Sequence, residues 1–244
     1  MSGGELGLTV SVFLACVVEA VEALTIVMAV GYTRSWSSAL FGVGAAVVVL
    51  GALVAGLGTA LTSLPIDDLR ILVGIFLLAF GLRWLRKAVL RAAGLKAMHD
   101  EREAYELQRA AARAAGRMPG AFDGYSFAIS LKGVLIEGLE VVLIVTAFGA
   151  NQHRIGLATA AAGVAVALVI AAGIAVRAPL ARVPENTMKF AVGVVLSSFG
   201  IFWSGEGAGV RWPGGDAILL AIIPVVLAAS LFAVVLLRRR PPYA

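Results

Sequence analysis

The chain is built from apolar runs too long for the interior of a small soluble domain. ALFGVGAAVVVLGALVAGLG at 39–58 contains no charged residue, and a helix needs roughly 20 mostly apolar residues to cross the hydrocarbon core of a bilayer. Seven segments meet that length, near 7–31, 38–63, 69–90, 125–149, 155–177, 187–204 and 216–237. Alternating strands of a membrane barrel would not give unbroken runs, and lipid offers no water to an unpaired backbone. The expected fold is therefore an all-α integral membrane protein with seven transmembrane helices. The opening MSGGELGLT lacks the basic region of a secretory signal, so the first run is expected to be a retained helix. Composition agrees: 60% of the 244 residues are hydrophobic and 14% charged, against about 25% charged in a soluble domain. Mean hydropathy is +0.95.

Basic residues fix the expected orientation. Arg83, Arg86, Lys87, Arg91, Lys96, Arg102, Arg109, Arg113 and Arg117 fall at the end of the third run or between it and the fourth, and Arg238, Arg239 and Arg240 follow the seventh. The positive-inside rule puts both regions in the cytoplasm, with the N-terminus outside and the C-terminus inside a prokaryotic-type inner membrane. Topology explains these charges without any nucleic-acid partner. The loop at 32–37 and the one with Arg182 then face inward, while PIDD at 65–68, NQHR at 151–154 and GEGAGVRWPGGD at 205–216 face outward. Residues 95–117, helix-forming and of mixed charge, are expected to prolong the third helix into the cytoplasm. Cys16, the only cysteine, excludes an intramolecular disulfide.

The sequence repeats itself. Glu19, Glu22, Ile26, Val27 and Gly31 match Glu137, Glu140, Ile144, Val145 and Gly149 at a shift of 118. Pro65, Arg70, Val73, Gly74, Phe80, Gly81 and Trp84 match Pro184, Lys189, Val192, Gly193, Phe199, Gly200 and Trp203 at a shift of 119. Each copy holds three helices, so the second enters the membrane from the opposite side. Such inverted repeats are a transporter architecture with the site near the midplane. The expected organisation is a first repeat over 1–90, a cytoplasmic helical linker over 91–123, the inverted repeat over 124–204, and an outer loop, seventh helix and basic C-terminus over 205–244. Trp84 and Trp203 are expected to anchor helix ends at the two interfaces.

The repeat singles out its least apolar members. VEAVEALTIV at 18–27 and IEGLEVVLIV at 136–145 each carry two glutamates three apart, which on a helix share one face. Inversion brings the two pairs to one depth, so Glu19, Glu22, Glu137 and Glu140 are expected to converge near the bilayer centre. A charge there costs about 2.5–3.5 kcal/mol, and four acids repel one another. Protons or a multivalent cation relieve both, and hard oxygen ligands suit Mg, Ca, Mn and iron rather than Cu(I). Basic residues within these helices are few, and Lys132 is expected to snorkel inward.

Weaker candidates surround the four. Thr25 adds a ligand oxygen or bonds its own backbone, and Met28 offers sulfur or packs in the core. Ser197 and Ser198, which replace Leu78 and Ala79 of the first copy, line a path or allow close packing. Glu206, with Asp67, Asp68 and Asp216, collects cations at the outer mouth or is simply solvated. His99 and His153 fall in loops, so no membrane helix carries an HExxH or ExxH motif. Neither a nucleophile elbow nor a phosphate-binding glycine loop is evident, and an enzyme is not expected. A lipid-modifying membrane enzyme and a structural membrane subunit are the remaining readings, and the latter would not need four central acids.

EAVEALTIV and EGLEVVLIV resemble the paired motifs of the high-affinity iron permeases, a seven-helix family with Arg-Glu-x-x-Glu in helices one and four. The resemblance implies that Glu19, Glu22, Glu137 and Glu140 bind and pass iron, with no permanent cofactor, beside an oxidase or a periplasmic metal-delivery partner. Val18 and Ile136 stand where that family has arginine, which opens the site to a divalent ion. The inverted three-helix layout is also similar to the lysine-exporter superfamily, which implies proton-coupled export of Mn or Ca. The Gly-Asp of its cation exchangers is here Ala20-Val21-Glu22 and Gly138-Leu139-Glu140. Either way the expected function is a metal-cation transporter that exchanges metal and protons at four glutamates within membrane lipid.

Overall fold

The structure is a computed structural model that describes residues 3–61, 65–116, 122–152, 154–176 and 184–239. Arg117, His153, the Arg182 loop and Arg240 lie outside the described residues. Eight α-helices follow in order: α1 Gly3–Thr33, α2 Trp36–Leu61, α3 Ile66–Ala92, α4 Glu101–Ala114, α5 Gly124–Asn151, α6 Ile155–Val176, α7 Glu185–Gly207 and α8 Leu219–Arg238, the last preceded by a 3-10 turn over Gly215–Ile218. The described residues contain no strand. Among the described residues, five helical segments are long and apolar enough to span a membrane: Glu5–Thr33, Trp36–Gly56, Ile155–Ala175, Asn186–Gly207 and Gly215–Arg238. The other two long helices, α3 and α5, have 27 and 28 residues, about 40 Å each, and carry much of the charge.

The helices sort by what their surfaces meet. α1 and α7 are the inner ones, whereas α2, α6 and α8 turn Val48, Val164, Ile174, Leu220 and Phe232 outward. Apolar side chains on the outside are what a lipid solvent asks for and what water penalises. The main core gathers Leu8, Val12 and Cys16 of α1, Leu77 and Trp84 of α3, Ile144 and Phe148 of α5, and Leu196, Phe199 and Trp203 of α7.

α3 and α7 run antiparallel, and small residues let their backbones touch. A Cβ on Gly81 would lie 2.4 Å from Ser197 N, and one on Gly200 would lie 2.5 Å from Leu78 N. Gly74 abuts Ser204 in the same manner, and Gly193 abuts Leu85. These contacts are reciprocal under the 119-residue shift, since adding 119 to Gly81 and Leu78 gives Gly200 and Ser197. The other pairings exchange likewise: α2 lies against α5, and α6 lies against α1.

Two expectations change here. Residues 95–117 do not prolong α3. The helix ends at Ala92, Gly94 adopts φ +78, and the chain reverses into α4. Asp100 caps α4, its carboxylate accepting from the N–H groups of Arg102 and Glu103. Glu101, Tyr105 and Ala112 are buried, and the spacing sets them on one stripe. Tyr105 meets Met28 and Ala29 of α1, and Ala112 meets Val27 and Val30. The amphipathic stripe thus docks α4 beside the second half of α1. Trp84 and Trp203 are not interfacial anchors: they are 2% and 3% exposed, because the α3–α7 contact encloses them. Trp203 packs edge-on against Phe148.

A polar clamp fixes the far end of α4. Arg34 donates through Nε and Nη2 to Asp123 (2.8 and 2.6 Å) and through Nη1 to the carbonyls of Ala112 and Gly116. Asp123 also accepts from Ser126 at the start of α5, and its N–H donates to Ser38 at the start of α2. The Arg34 guanidinium, with Ser126, holds the Asp123 carboxyl well below the usual carboxylate range.

Gly81→Val is expected to prise α3 from α7 and lower stability by about 3 kcal/mol, read as a fall in unfolding temperature in detergent. Gly44→Val, with nothing within 4 Å, should leave that temperature unchanged; equal effects would contradict the close approach. The Asp123 carboxyl is depressed in the folded state, so its stabilisation is present above the unfolded value near 4 and fades only as pH falls below it. Protection of Arg109 and Arg113 from trypsin should accordingly persist from pH 8.5 to 7 in the intact chain and drop in Asp123→Asn.

Candidate metal centre

α1 carries Glu19 and Glu22 one turn apart near its middle, and α5 brings Glu137 across to them. One carboxylate oxygen from each of these three lies within 4.8 Å of the other two. Glu19 is 1% exposed, and its Oε1 accepts no hydrogen bond from a donor group among the described residues. Carboxylates this close, turned from water, repel strongly because little solvent screens them.

Two cations approach the acids from the α3–α7 pair. Lys189 of α7 donates its ammonium to Glu22 Oε1, is 8% exposed, and lies 5.6 Å over the Trp84 ring. Arg83 of α3 donates to Glu140 Oε1, with its guanidinium 4.8 Å over the Phe80 ring. Glu140 therefore turns to Arg83 and is not a member of the three-carboxylate group. From the sequence, Arg83 belongs with the cytoplasmic charges and Lys189 is only the counterpart of Arg70. Basic residues within α1 and α5 are few, and the two counter-charges come from other helices. A signal was available in the ladder of Lys189, Val192, Leu196 and Trp203 down α7, which places a lysine among core residues.

The chemistry of the group follows from its donors. Three carboxylates against one ammonium leave two negative charges when all are ionised, which one divalent ion balances. Oxygen donors alone select hard or borderline cations. Thr25, buried at 3% exposure, follows Glu22 by three residues and shares its face. Met28 packs against Tyr105 instead of facing the acids. Ser197 is buried beside Gly81, its hydroxyl without a hydrogen-bond partner among the described residues, whereas Ser198 donates to the Val194 carbonyl at 2.8 Å. Glu206 is not in a loop. It occupies the last turn of α7, 3.6 Å from Arg70, about 25 Å along the helix from Lys189. Asp67 pairs with Arg70 at 3.7 Å, and Asp68 and Asp216 are exposed.

Comparison with protein-family models, curated proteins and solved structures returns no match.

Lys189→Met leaves the half-buried Glu22 without its cation and is expected to cost about 3 kcal/mol. The double variant Glu22→Gln/Lys189→Met should recover part of that loss, measured by thermal unfolding in detergent. Additive losses would show that the two charges are not coupled.

Proposed function

We propose that this chain is a metal-cation transporter, closest in kind to the iron permeases, with Glu19, Glu22 and Glu137 as its central binding group and Glu140 beside them. The observation that carries the proposal is the convergence of carboxylate oxygens of Glu19, Glu22 and Glu137 within 4.8 Å of one another, together with a buried Glu19 Oε1 that accepts no hydrogen bond from a donor group among the described residues. A purely structural role would call for every buried acid oxygen to be satisfied, as Glu22 and Glu140 are by Lys189 and Arg83. A transported cation supplies the missing partner, and protons replace it when the site empties.

Seven membrane crossings are part of this proposal, with α1, α2, α3, α5, α6, α7 and α8 as the spans and α4 on the cytoplasmic side. The reciprocal glycine contacts of α3 with α7 and the exchanged pairings of α2 with α5 and α6 with α1 support two inverted three-helix repeats over 1–90 and 124–204. The N-terminus then lies outside and the C-terminus in the cytoplasm of a cell inner membrane. Lys189 and Arg83 take over the charge that the permeases carry before each first glutamate, where this chain has Val18 and Ile136. An ammonium seated on Glu22 also defines a cycle. Metal arriving at the group displaces Lys189 from Glu22, and its return helps expel the ion. Alternating access would follow from one bundle moving against the other around the site.

The same repeat layout supports a second reading, proton-coupled export of Mn or Ca in the manner of the lysine-exporter superfamily. Proteoliposomes separate the two. Purified protein with a pH-sensitive dye inside is offered Fe(II), Fe(III), Mn(II), Ca(II) and Zn(II). Iron-selective uptake is expected, reduced at least about tenfold in Glu22→Gln and in Glu19→Gln. Mn or Ca flux with opposite proton movement would favour the exporter, and unaltered flux in both variants would refute the site.

A further inference from the structure

α4 does more than close the fold. It runs beside the second half of α1, so that its first turn faces Glu22 and its last turn lies beneath Arg34. The segment leading into it is held by α7. Asn186 Nδ2 donates to the His99 carbonyl at 3.1 Å, and Arg91 Nη1 donates to Asn186 Oδ1 at 2.8 Å. This frame delivers two side chains to Glu22. One donor atom each from Glu22, His99 and Glu101 lies within 4.8 Å of the others, and Glu101 is 4% exposed. His99 and Glu101 are joined by a 3.2 Å contact from Nε2 to Oε1.

A docked helix does not need this arrangement. The buried stripe of α4 continues through Tyr105 and Ala112, and an apolar residue at 101 would extend it without bringing a second acid to Glu22. Instead the trio turns one imidazole and two carboxylates toward a common point, with the ring already against Glu101, and that donor set fits a divalent cation. Glu22 is common to this trio and to the trio with Glu19 and Glu137, so one carboxylate joins the two groups.

We propose that Glu22, His99 and Glu101 form a second cation site, inward of the central glutamates, which receives a divalent transition-metal ion from them and binds it to α4. The inference rests on the transport reading and narrows its substrate. A site of imidazole and carboxylate suits Mn(II), Fe(II), Co(II) or Zn(II) and is a poor one for Ca(II), which prefers an all-oxygen shell. Because its ligands come from both α1 and α4, metal at this site ties α4 to the bundle, and release of the ion frees α4 from Glu22.

The test uses the full chain without an affinity tag, purified in detergent and loaded with Mn(II). Pulsed EPR detects imidazole nitrogen bound to the manganese, and equilibrium dialysis gives affinity. His99→Ala and Glu101→Gln are expected to abolish the nitrogen signal or weaken the inner site by about tenfold or more, at least the loss that disturbing a ligand's outer partners brings. Manganese that binds with no nitrogen signal, or with a signal unchanged in His99→Ala, would overturn the inner site and leave the central group standing. A His99-dependent signal that persists in Glu19→Gln/Glu137→Gln, with flux also intact, would keep the inner site and overturn the central one. No bound manganese in the wild-type chain would overturn both.

Discussion

Glu19 is the constraint around which the rest of the structure is arranged. It lies near the middle of a 31-residue apolar helix, 1% exposed, with Glu22 and Glu137 within 4.8 Å. A lone charge at bilayer depth is costly by several kcal/mol, and two neighbours of the same sign add to that. The fold answers with cations from elsewhere: Lys189 on Glu22 and Arg83 on Glu140. Each is steadied by an aromatic face, Trp84 for the lysine and Phe80 for the arginine. What these pairs leave is a Glu19 Oε1 that accepts no hydrogen bond from a donor group among the described residues, beside the carboxylates of Glu22 and Glu137. That cluster is where the proposed cation would bind.

The close α3–α7 contact makes that supply of positive charge workable. Glycines at 74, 81, 193 and 200 let the two backbones meet, which encloses Trp84 and Trp203 and holds Lys189 in reach of Glu22. The equivalence is incomplete in an instructive way. Arg70, the counterpart of Lys189, pairs with Asp67 and Glu206, while Glu140, the counterpart of Glu22, takes Arg83. α4 packs on the Glu22 side. Two halves of related sequence are thereby given different surroundings, as a transporter proposed to open to one face at a time requires.

Much of the helical layout was legible from residue pattern alone. Each of the seven apolar runs has a helix over it, and the Glu-x-x-Glu spacing placed Glu19 and Glu22 on one helix face that does meet Glu137. The failures have physical causes. α4 was legible as a helix but not as a docked one, because its buried stripe is Glu101, Tyr105 and Ala112, a pattern in which a charged residue occupies a core position. Lys189 and Arg83 were hidden since long side chains reach across helices, and sequence spacing speaks only of neighbours on the same one. The tryptophans misled for the opposite reason. Trp is enriched at membrane interfaces, yet glycine-lined helices make room for it in the core.

The most direct test of the central claim is an anomalous difference map from crystals of the protein grown in lipid with Mn(II). A peak at about 2–2.5 Å from carboxylate oxygens of Glu19, Glu22 and Glu137, with the Lys189 ammonium moved off Glu22, is the expected result. A map without density among those three residues, and with Lys189 still seated on Glu22 at saturating metal, would contradict the account.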